Sequence, residues 1–119
     1  DIYLDLNAKK LVMDRVHSGI VDFGKNSVPY GKEAHDNCIA KSINCVDDFA
    51  LATWGPLSPA QEHTLRIFVD KCSVEVFLDG GKVAMTNLVF PNEPYNSLNF
   101  YSKDGSCRIN SLVLYKLGL

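Results

Sequence analysis

Three carboxylates in the second half of the sequence have the type and spacing that hydrolytic chemistry would use. Asp70, Glu75 and Asp79 lie close together in the chain, and hydrolysis of a glycosidic bond needs two carboxyl groups that flank this bond. In the hairpin predicted for this region, however, Asp70 and Glu75 lie on the same side, with no second wall to hold a substrate. We therefore interpret these side chains as hairpin-end and cross-strand charges, and we predict no catalytic residue among them.

The histidine and serine patterns predict neither a metal site nor a nucleophile. His17, His35 and His63 are widely separated, with no His-x-x-x-His or equivalent spacing that would place two of them on one metal ion. No serine is flanked by glycines at the spacing of a nucleophile elbow. We expect histidines in solvent-exposed loops, no metal site and no cofactor.

The four cysteines do not form a metal-binding pattern either. Cys38, Cys45, Cys72 and Cys107 include no Cys-x-x-Cys spacing. Their even number permits one or two disulfides in an exported protein, and Cys38 with Cys45 is then the plausible pair because both lie in a loop-rich part of the chain. Free, partly buried thiols are the interpretation that we favour.

Aromatic side chains could bind a sugar by stacking on its ring. Trp54 is the strongest candidate, because it is the only tryptophan and lies beside a Gly-Pro turn where an exposed platform could form. Aromatic residues dominate buried area, so a position in the core or in a domain interface is the favoured alternative for Trp54. The other aromatic candidates are Tyr30, Phe90, Tyr95 and Tyr101.

Length and charge limit the classes to which the protein can belong. A chain of 119 residues predicts a single domain over residues 1–119. Twelve basic residues against fourteen acidic ones give a net charge of −2, and the basic residues are scattered, so nucleic acid is not an expected partner. No apolar run approaches the roughly 18–20 residues of a membrane span, so a membrane is not an expected partner either. The sequence opens inside a predicted strand, which leads us to expect a piece of a longer protein.

Short strands are the elements that must position these side chains. Apolar and polar residues alternate over short segments, and turn-forming residues separate the segments. The predicted strands are Ile2–Leu6, Leu11–Asp14, a short one near Gly19–Phe23, Phe49–Trp54, Thr64–Asp70, Ser73–Asp79, Lys82–Phe90, Asn96–Ser102 and Cys107–Leu117. A short helical turn is predicted around Ser58–His63, with Pro59 at its first position. No long helical period occurs, so the pattern indicates an all-β antiparallel sandwich or barrel.

One hairpin has a register that can be predicted. If residues 71 and 72 form a two-residue turn, the strict period of two places six aliphatic side chains on one face, which we expect to be core. The opposite face then carries Arg66 beside Phe77 and Phe68 beside Glu75. The six aliphatic residues are Leu65, Ile67, Val69, Val74, Val76 and Leu78.

This hairpin resembles a signature in the C-terminal domain of glycoside hydrolase family 32, which includes invertases, levanases, inulinases and fructan exohydrolases. Residues Leu65–Phe77 match a Leu-Arg-(aliphatic)-x-(aliphatic)-Asp strand, a short basic/serine turn and a Ser-Val-Glu-(aliphatic)-Phe strand. Cys72 departs from the pattern, since the family usually has serine there.

Two further stretches extend the resemblance from about Leu4 to Leu117. Gly80-Gly81, followed by Thr86 and then by Phe90-Pro91, is similar to the next hairpin of the family. Leu11–Gly19, with Asp14-Arg15 and Ser18-Gly19, is similar to the family's Asp-Arg-Ser-x-Ser-Gly stretch, from which Val16-His17 departs.

The resemblance implies an antiparallel two-sheet β-sandwich of the jelly-roll or concanavalin A-like type. In that family a five-bladed propeller, N-terminal to this domain, holds the catalytic residues in Asn-Asp-Pro, Arg-Asp-Pro and Glu-Cys motifs. This chain contains no Asp-Pro and no Glu-Cys dipeptide, so no catalytic residue carries over. The resemblance therefore implies a C-terminal fragment of a secreted or periplasmic hydrolase, whose partner is the propeller of the same parent chain.

Two functional hypotheses remain open. The first is a non-catalytic accessory domain that packs on the propeller of a fructan- or sucrose-cleaving enzyme and stabilises it. The alternative is a carbohydrate-binding module that holds fructan by stacking on Trp54. For the first hypothesis the domain-interface candidates are Arg66, Phe68, Glu75 and Phe77, because two phenylalanines left in water would form a sticky patch. We expect these two rings to be more exposed than the six aliphatic residues of the other face.

Overall fold

The fold is built from six short strands in two antiparallel sheets. A computed structural model describes residues 1–21 and 49–117. The strands are β1 (Ile2–Asp5), β2 (Lys10–Met13), β3 (Thr53–Pro56), β4 (Leu65–Val69), β5 (Ser73–Leu78) and β6 (Val83–Leu88). The first sheet has the order β1-β2-β3 and the second the order β4-β5-β6. With no helix among the described residues, the prediction of an all-β two-sheet sandwich is confirmed.

The first sheet starts with the first two predicted strands, which pair as a hairpin. β1 pairs with β2 from Ile2↔Met13 to Asp5↔Lys10, and the backbone N–H of Ala8 donates to Oδ1 of Asp5 at 2.8 Å within the turn. Alternation places Leu11 and Met13 in the core, while the residues between and before them face the other way.

No helix of the described residues is long and apolar enough to cross a membrane.

The third strand lies further along the chain than predicted. The expected strand was Phe49–Trp54, whereas β3 covers Thr53–Pro56 and pairs with β2. The prediction was wrong because Pro56 was treated as a strand breaker. β3 is an edge strand, where a proline that lacks a backbone donor is tolerated.

The predicted helical turn at residues 58–63 does not form either. The turn was predicted because Ser58 could cap it and Glu62 is spaced to complete this cap. In the structure Oε1 of Glu62 instead accepts a hydrogen bond from Nδ2 of Asn110, at 2.9 Å. Residues that could cap a helix do not by themselves produce one, and this segment leads into β4 instead.

The second sheet contains the hairpin whose register was predicted, and that register is confirmed. β4 and β5 pair as Leu65↔Leu78, Ile67↔Val76 and Val69↔Val74. The backbone N–H of Asp70 donates to the carbonyl of Ser73 at 2.9 Å, which leaves residues 71 and 72 as the turn. β6 continues the sheet on the other side of β5.

The core lies between the two sheets and is centred on β2 and β5. The sheets meet closely where β3 faces β6: a Cβ built on Gly55 would lie 2.4 Å from Cγ1 of Val83. Beside it, Oγ1 of Thr53 donates to Oδ1 of the buried Asn87 at 3.0 Å. The buried hydrophobic cluster consists of Leu11, Met13, Leu57, Val74, Val76, Leu78 and Val89.

The aliphatic face of the β4–β5 hairpin is only half core, which corrects the prediction. The three residues on β5 are buried, whereas Leu65, Ile67 and Val69 on β4 are 37%, 41% and 58% exposed. β4 is the edge of its sheet farthest from the β3–β6 contact. A residue pattern specifies which face a side chain takes, but not how far the opposing sheet extends over this face.

The two predicted C-terminal strands are also absent from the described structure. Asn96–Ser102 and Cys107–Leu117 carry no strand, and their side chains are exposed. An alternating apolar segment becomes a strand only when a neighbouring strand supplies the hydrogen-bonded ladder, and these segments have none here. The large apolar residues that they expose are Leu98, Phe100, Tyr101, Ile109, Leu112, Val113, Leu114, Tyr115 and Leu117.

Candidate functional site

The four domain-interface candidates form one cluster on the outer face of the second sheet. Pairing places Arg66 opposite Phe77 and Phe68 opposite Glu75. The rings of Phe68 and Phe77 contact edge to face, with centroids 5.9 Å apart and an interplanar angle of 89°. The Arg66 guanidinium lies 5.0 Å from the Phe68 ring centroid. We call these four residues the β4–β5 outer cluster.

The two rings of this cluster are less exposed than the sequence predicted. Phe68 and Phe77 are half-buried, so they are more buried than the exposed aliphatic residues of β4. Each ring covers the other, and Arg66 covers part of Phe68, as cation–π pairs do. Glu75 is also half-buried, and Thr86 on β6 donates to its Oε1 at 3.4 Å. The expectation that both rings exceed all six aliphatics in exposure was wrong.

Trp54 lies on the outer face of the first sheet, not in the core. It is 59% exposed, which excludes the core interpretation and leaves the domain-interface and sugar-stacking interpretations open. Nζ of Lys10 lies 4.0 Å from the centroid of its ring. Along the same transverse row Trp54 pairs with Val12, and Val12 pairs with Tyr3.

The three carboxylates considered for catalysis serve the ends and the middle of the β4–β5 hairpin. Oδ1 of Asp70 accepts from the backbone N–H of Lys71 at 2.7 Å in the turn. Asp79 follows β5 at the opposite end of the hairpin from Asp70, and Glu75 contacts Thr86 between them. These contacts confirm hairpin-end and cross-strand charges, because no two of the groups face each other across a cleft.

Asp79 is the carboxylate with the densest set of contacts. Its Oδ2 lies 2.8 Å from Nδ1 of His63, and its Oδ1 accepts from the backbone N–H of Thr64 at 2.8 Å. The hydrogen bond from His63, and then that from Thr64, hold the pKa of Asp79 below its usual value. Asp79 therefore joins the start of β4 to the end of β5. The expectation of a solvent-exposed histidine was wrong for His63, because this contact leaves its side chain largely buried.

Neither a metal-ligand group nor a disulfide occurs in the described part of the chain. Among residues 1–21 and 49–117, no group of three or more His, Cys, Asp or Glu side chains could hold a metal ion. Cys72 and Cys107 are free and exposed, so the expectation of partly buried thiols was wrong for these two. His35 and the proposed Cys38–Cys45 pair lie outside the described residues, as does part of the strand expected near Gly19–Phe23.

A buried arginine joins three segments and was not anticipated as a functional position. Arg15 follows β2, and its Nε donates to the carbonyl of Leu51 while its Nη1 donates to that of Leu88, both at 3.0 Å. Its guanidinium also lies 5.9 Å from the ring centroid of Phe49. A buried charge that is hydrogen-bonded in this way fixes the end of β6 against the first sheet.

Next to Arg15, the two sequence motifs at residues 18–19 and 90–91 come into direct contact. The backbone N–H of Ile20 donates to the carbonyl of Phe90 at 2.8 Å. Gly19 has a φ of 140°, and a Cβ built on it would lie 2.2 Å from the carbonyl oxygen of Phe90. The Tyr95 hydroxyl donates to the carbonyl of Ser18 at 2.5 Å, and burial raises the pKa of this hydroxyl. Both motifs were visible in the sequence, but their contact required the fold.

Comparison with known proteins supports the sequence motifs. The family model described as "Glycosyl hydrolases family 32 C terminal" matches residues 1–116. A levanase of Bacillus sp. (strain L7) is 30% identical over 109 residues, which cover 91% of this chain and 9% of the levanase. A levanase of Bacillus subtilis (strain 168) is 38% identical over 63 residues, covering 52% of this chain and 9% of that protein.

A fungal relative matches nearly the whole chain. The extracellular exo-inulinase of Aspergillus awamori is 27% identical over 115 residues, which cover 95% of this chain and 17% of the inulinase. The chain thus spans only a small part of the curated relatives that it matches. No solved structure gave a significant match. With the family model matched over nearly all of its length, the chain belongs to the C-terminal domain family of glycoside hydrolase family 32.

Proposed function

We propose that this chain is the non-catalytic accessory domain of a β-fructosidase and that it packs on, and stabilises, an N-terminal propeller catalytic domain. The observation that carries the proposal is the uncovered apolar surface of β4. On one face of this edge strand, Leu65, Ile67 and Val69 are exposed. Monomeric soluble domains rarely expose contiguous apolar patches of large size, and such patches mark interaction sites.

The other face of β4 adds a second contact of a different chemistry. There the β4–β5 outer cluster presents two half-buried aromatic rings beside the exposed Arg66 and the half-buried Glu75. An apolar centre with charged groups at its rim is the usual composition of a protein–protein interface. We propose that the catalytic domain contacts β4 along both faces, with Arg66 and Glu75 at the polar rim.

The substrate and the location of the parent enzyme are part of the proposal. Relatives named levanase and extracellular exo-inulinase support a fructan substrate and an extracellular or periplasmic location. The sequence encoded upstream of Asp1 tests the parent directly. We expect Asn-Asp-Pro, Arg-Asp-Pro and Glu-Cys motifs there, and a parent that lacks all three contradicts the proposal.

The chain alone should be inert as a glycosidase. It contains no Asp-Pro or Glu-Cys dipeptide, and its three best-placed carboxylates are engaged in hairpin contacts. We expect no release of fructose from sucrose, levan or inulin by the purified 119-residue chain. Fructose release that disappears in a Glu75→Gln variant would overturn the assignment of that carboxylate.

The proposed contact is tested in the parent protein with one matched pair of variants. Ile67→Lys places a charge on the exposed face of β4, whereas Leu6→Lys places the same charge on an exposed turn of the first sheet. We expect the Ile67→Lys parent to lose fructan hydrolysis at a lower temperature and to release its catalytic domain sooner under limited proteolysis. Equal behaviour of the two variants would contradict a contact through β4.

A further inference from the structure

The outer face of the first sheet carries aromatic rings and polar groups that the accessory role does not use. Trp54, Val12 and Tyr3 form one transverse row across β3, β2 and β1. Trp54 is 59% and Tyr3 is 39% exposed at the two ends of this row, whereas Val12 between them is buried. Adjacent strands lie roughly 4.8 Å apart, so the two rings stand about 10 Å apart across the sheet.

The neighbouring row supplies one charge of each sign. Lys10 pairs with Asp5 on one side and with Pro56 on the other. By the period of two, these residues face the same side of the sheet as Trp54, and Lys10 does contact Trp54 with its ammonium group. The face therefore offers the ammonium donors of Lys10, the carboxylate acceptor of Asp5 and the phenol of Tyr3. The two charges cancel, so the face has no net charge.

We propose that this face is a binding platform for a neutral fructose oligosaccharide, with Trp54 as the stacking residue and with Tyr3, Lys10 and Asp5 as hydrogen-bonding groups. The C–H bonds of a sugar ring carry partial positive charge and pack on the negative face of an aromatic ring. The hydroxyl groups at the rim of the sugar need donors and acceptors together, which Lys10, Tyr3 and Asp5 provide. An anionic ligand would meet Asp5, and a cationic ligand would meet Lys10, so the balance of charge selects a neutral one.

The contact between Lys10 and Trp54 is compatible with this role. An ammonium group over one face of the indole holds the ring in place by cation–π attraction and leaves most of the side chain in solvent. A ring that is held before the ligand arrives loses less conformational freedom on binding. The choice of fructose as the sugar rests on the proposed function, whereas the platform itself rests on the geometry of the sheet.

The single tryptophan of the chain makes the test direct, because fluorescence excited selectively at tryptophan, and not at the tyrosines, reports on Trp54 alone. We expect a saturable change in fluorescence when the 119-residue chain is titrated with levan- and inulin-derived oligosaccharides, and none with cello-oligosaccharides. Tyr3→Ala should weaken this binding by roughly tenfold, the change in affinity expected when one hydrogen bond to the ligand is lost. Circular dichroism of each variant checks that the fold is kept.

Calorimetry extends the test to variants that lack the fluorophore. Trp54→Ala should abolish the binding heat and Trp54→Tyr should restore part of it, whereas Tyr115→Ala, which removes a still more exposed ring outside the sheet, should leave it unchanged. Absence of saturable binding, or binding retained by Trp54→Ala, overturns the platform. Equal affinity for cello-oligosaccharides overturns the fructose class. None of these results bears on the accessory role, which is tested in the parent protein.

Discussion

Gly19 has two separate reasons to be glycine, and they can be measured apart. Its φ of 140° disfavours any residue with a side chain, and a Cβ there would lie 2.2 Å from the carbonyl oxygen of Phe90. We expect Gly19→Ala to lower the free energy of unfolding by roughly 2–5 kcal/mol, the sum of backbone strain and overpacking. Chemical denaturation of the purified chain measures this loss.

Gly80 supplies the matched control for Gly19. Its φ is 73°, but a Cβ built on it would meet no atom within 4 Å. Gly80→Ala should therefore cost only the backbone term, about 1–2 kcal/mol. If the two variants lost the same free energy, a methyl group at position 19 would be accommodated beside Phe90, which would contradict the predicted overpacking.

Asp79 makes the stability of the hairpin depend on pH. Hydrogen bonds from His63 and Thr64 depress the pKa of the Asp79 carboxyl in the folded state. A depressed pKa adds stability above the unfolded value of 3.8, and this stability is lost as the pH falls through the folded pKa. We expect the wild type to be more stable than Asp79→Asn at pH 7, with the difference shrinking as the pH falls below the unfolded value of 3.8 and through the lower folded pKa.

Asparagine suits this test because it tolerates the left-handed backbone of position 79, where φ is 49°. Asp104, an exposed aspartate with a φ of 57°, gives the matched control, since Asp104→Asn makes the same change without a His63 contact. Urea midpoints across the pH series measure both variants. A gap for Asp79→Asn that does not shrink more than that of Asp104→Asn would contradict the role of His63.

At the scale of elements, the two strands of the predicted hairpin differ in what they contribute. Leu78 on β5 and Leu65 on β4 are direct cross-strand partners on one face, yet they are 1% and 37% exposed. We expect Leu78→Ala to cost roughly 2–5 kcal/mol of unfolding free energy, because it leaves a core cavity. Leu65→Ala should cost less than about 1 kcal/mol. Equal losses, measured by urea denaturation, would mean that β4 is covered in solution.

Local patterns predicted the β4–β5 hairpin because the residues that specify it are close together in the sequence. The period of two and a two-residue turn were enough to place Leu65 opposite Leu78. The same reasoning failed where the outcome depends on a distant partner. Whether Ile67 is buried depends on how far the first sheet reaches, and whether residues 107–117 form a strand depends on an available edge.

Of the two candidate surfaces, the one built from a single hairpin could be predicted and the one built from distant segments could not. The alternation of residues correctly placed Arg66, Phe68, Glu75 and Phe77 on one face. The row of Tyr3 and Trp54 was not predicted, because the third strand was expected at Phe49–Trp54. Only the observed bounds and register of β3 align Trp54 with β2 and β1. No spacing in the sequence could have joined these two residues, which come from segments far apart in the chain.

For the whole molecule, the uncovered apolar surface predicts behaviour in solution. Without a catalytic partner, the exposed face of β4 should associate with copies of itself at high concentration. We expect sedimentation velocity to detect concentration-dependent association of the wild-type chain and less of it for Ile67→Lys. Leu6→Lys, on an exposed turn of the other sheet, is the control. A strictly monomeric wild type at all concentrations would contradict the prediction.

The close approach of Gly55 to Val83 has a consequence for local unfolding. At the β3–β6 side the sheets meet with no side chain on Gly55 to separate them, whereas β4, on the far side, is open on both faces. The sandwich is therefore a wedge that is closed along one side, and local opening should start from β4. Native-state hydrogen exchange of the paired amides should then be faster in β4 than in β6, the other edge strand of the same sheet. In the parent enzyme, a catalytic domain docked on β4 would suppress this local opening and slow the exchange of the β4 amides.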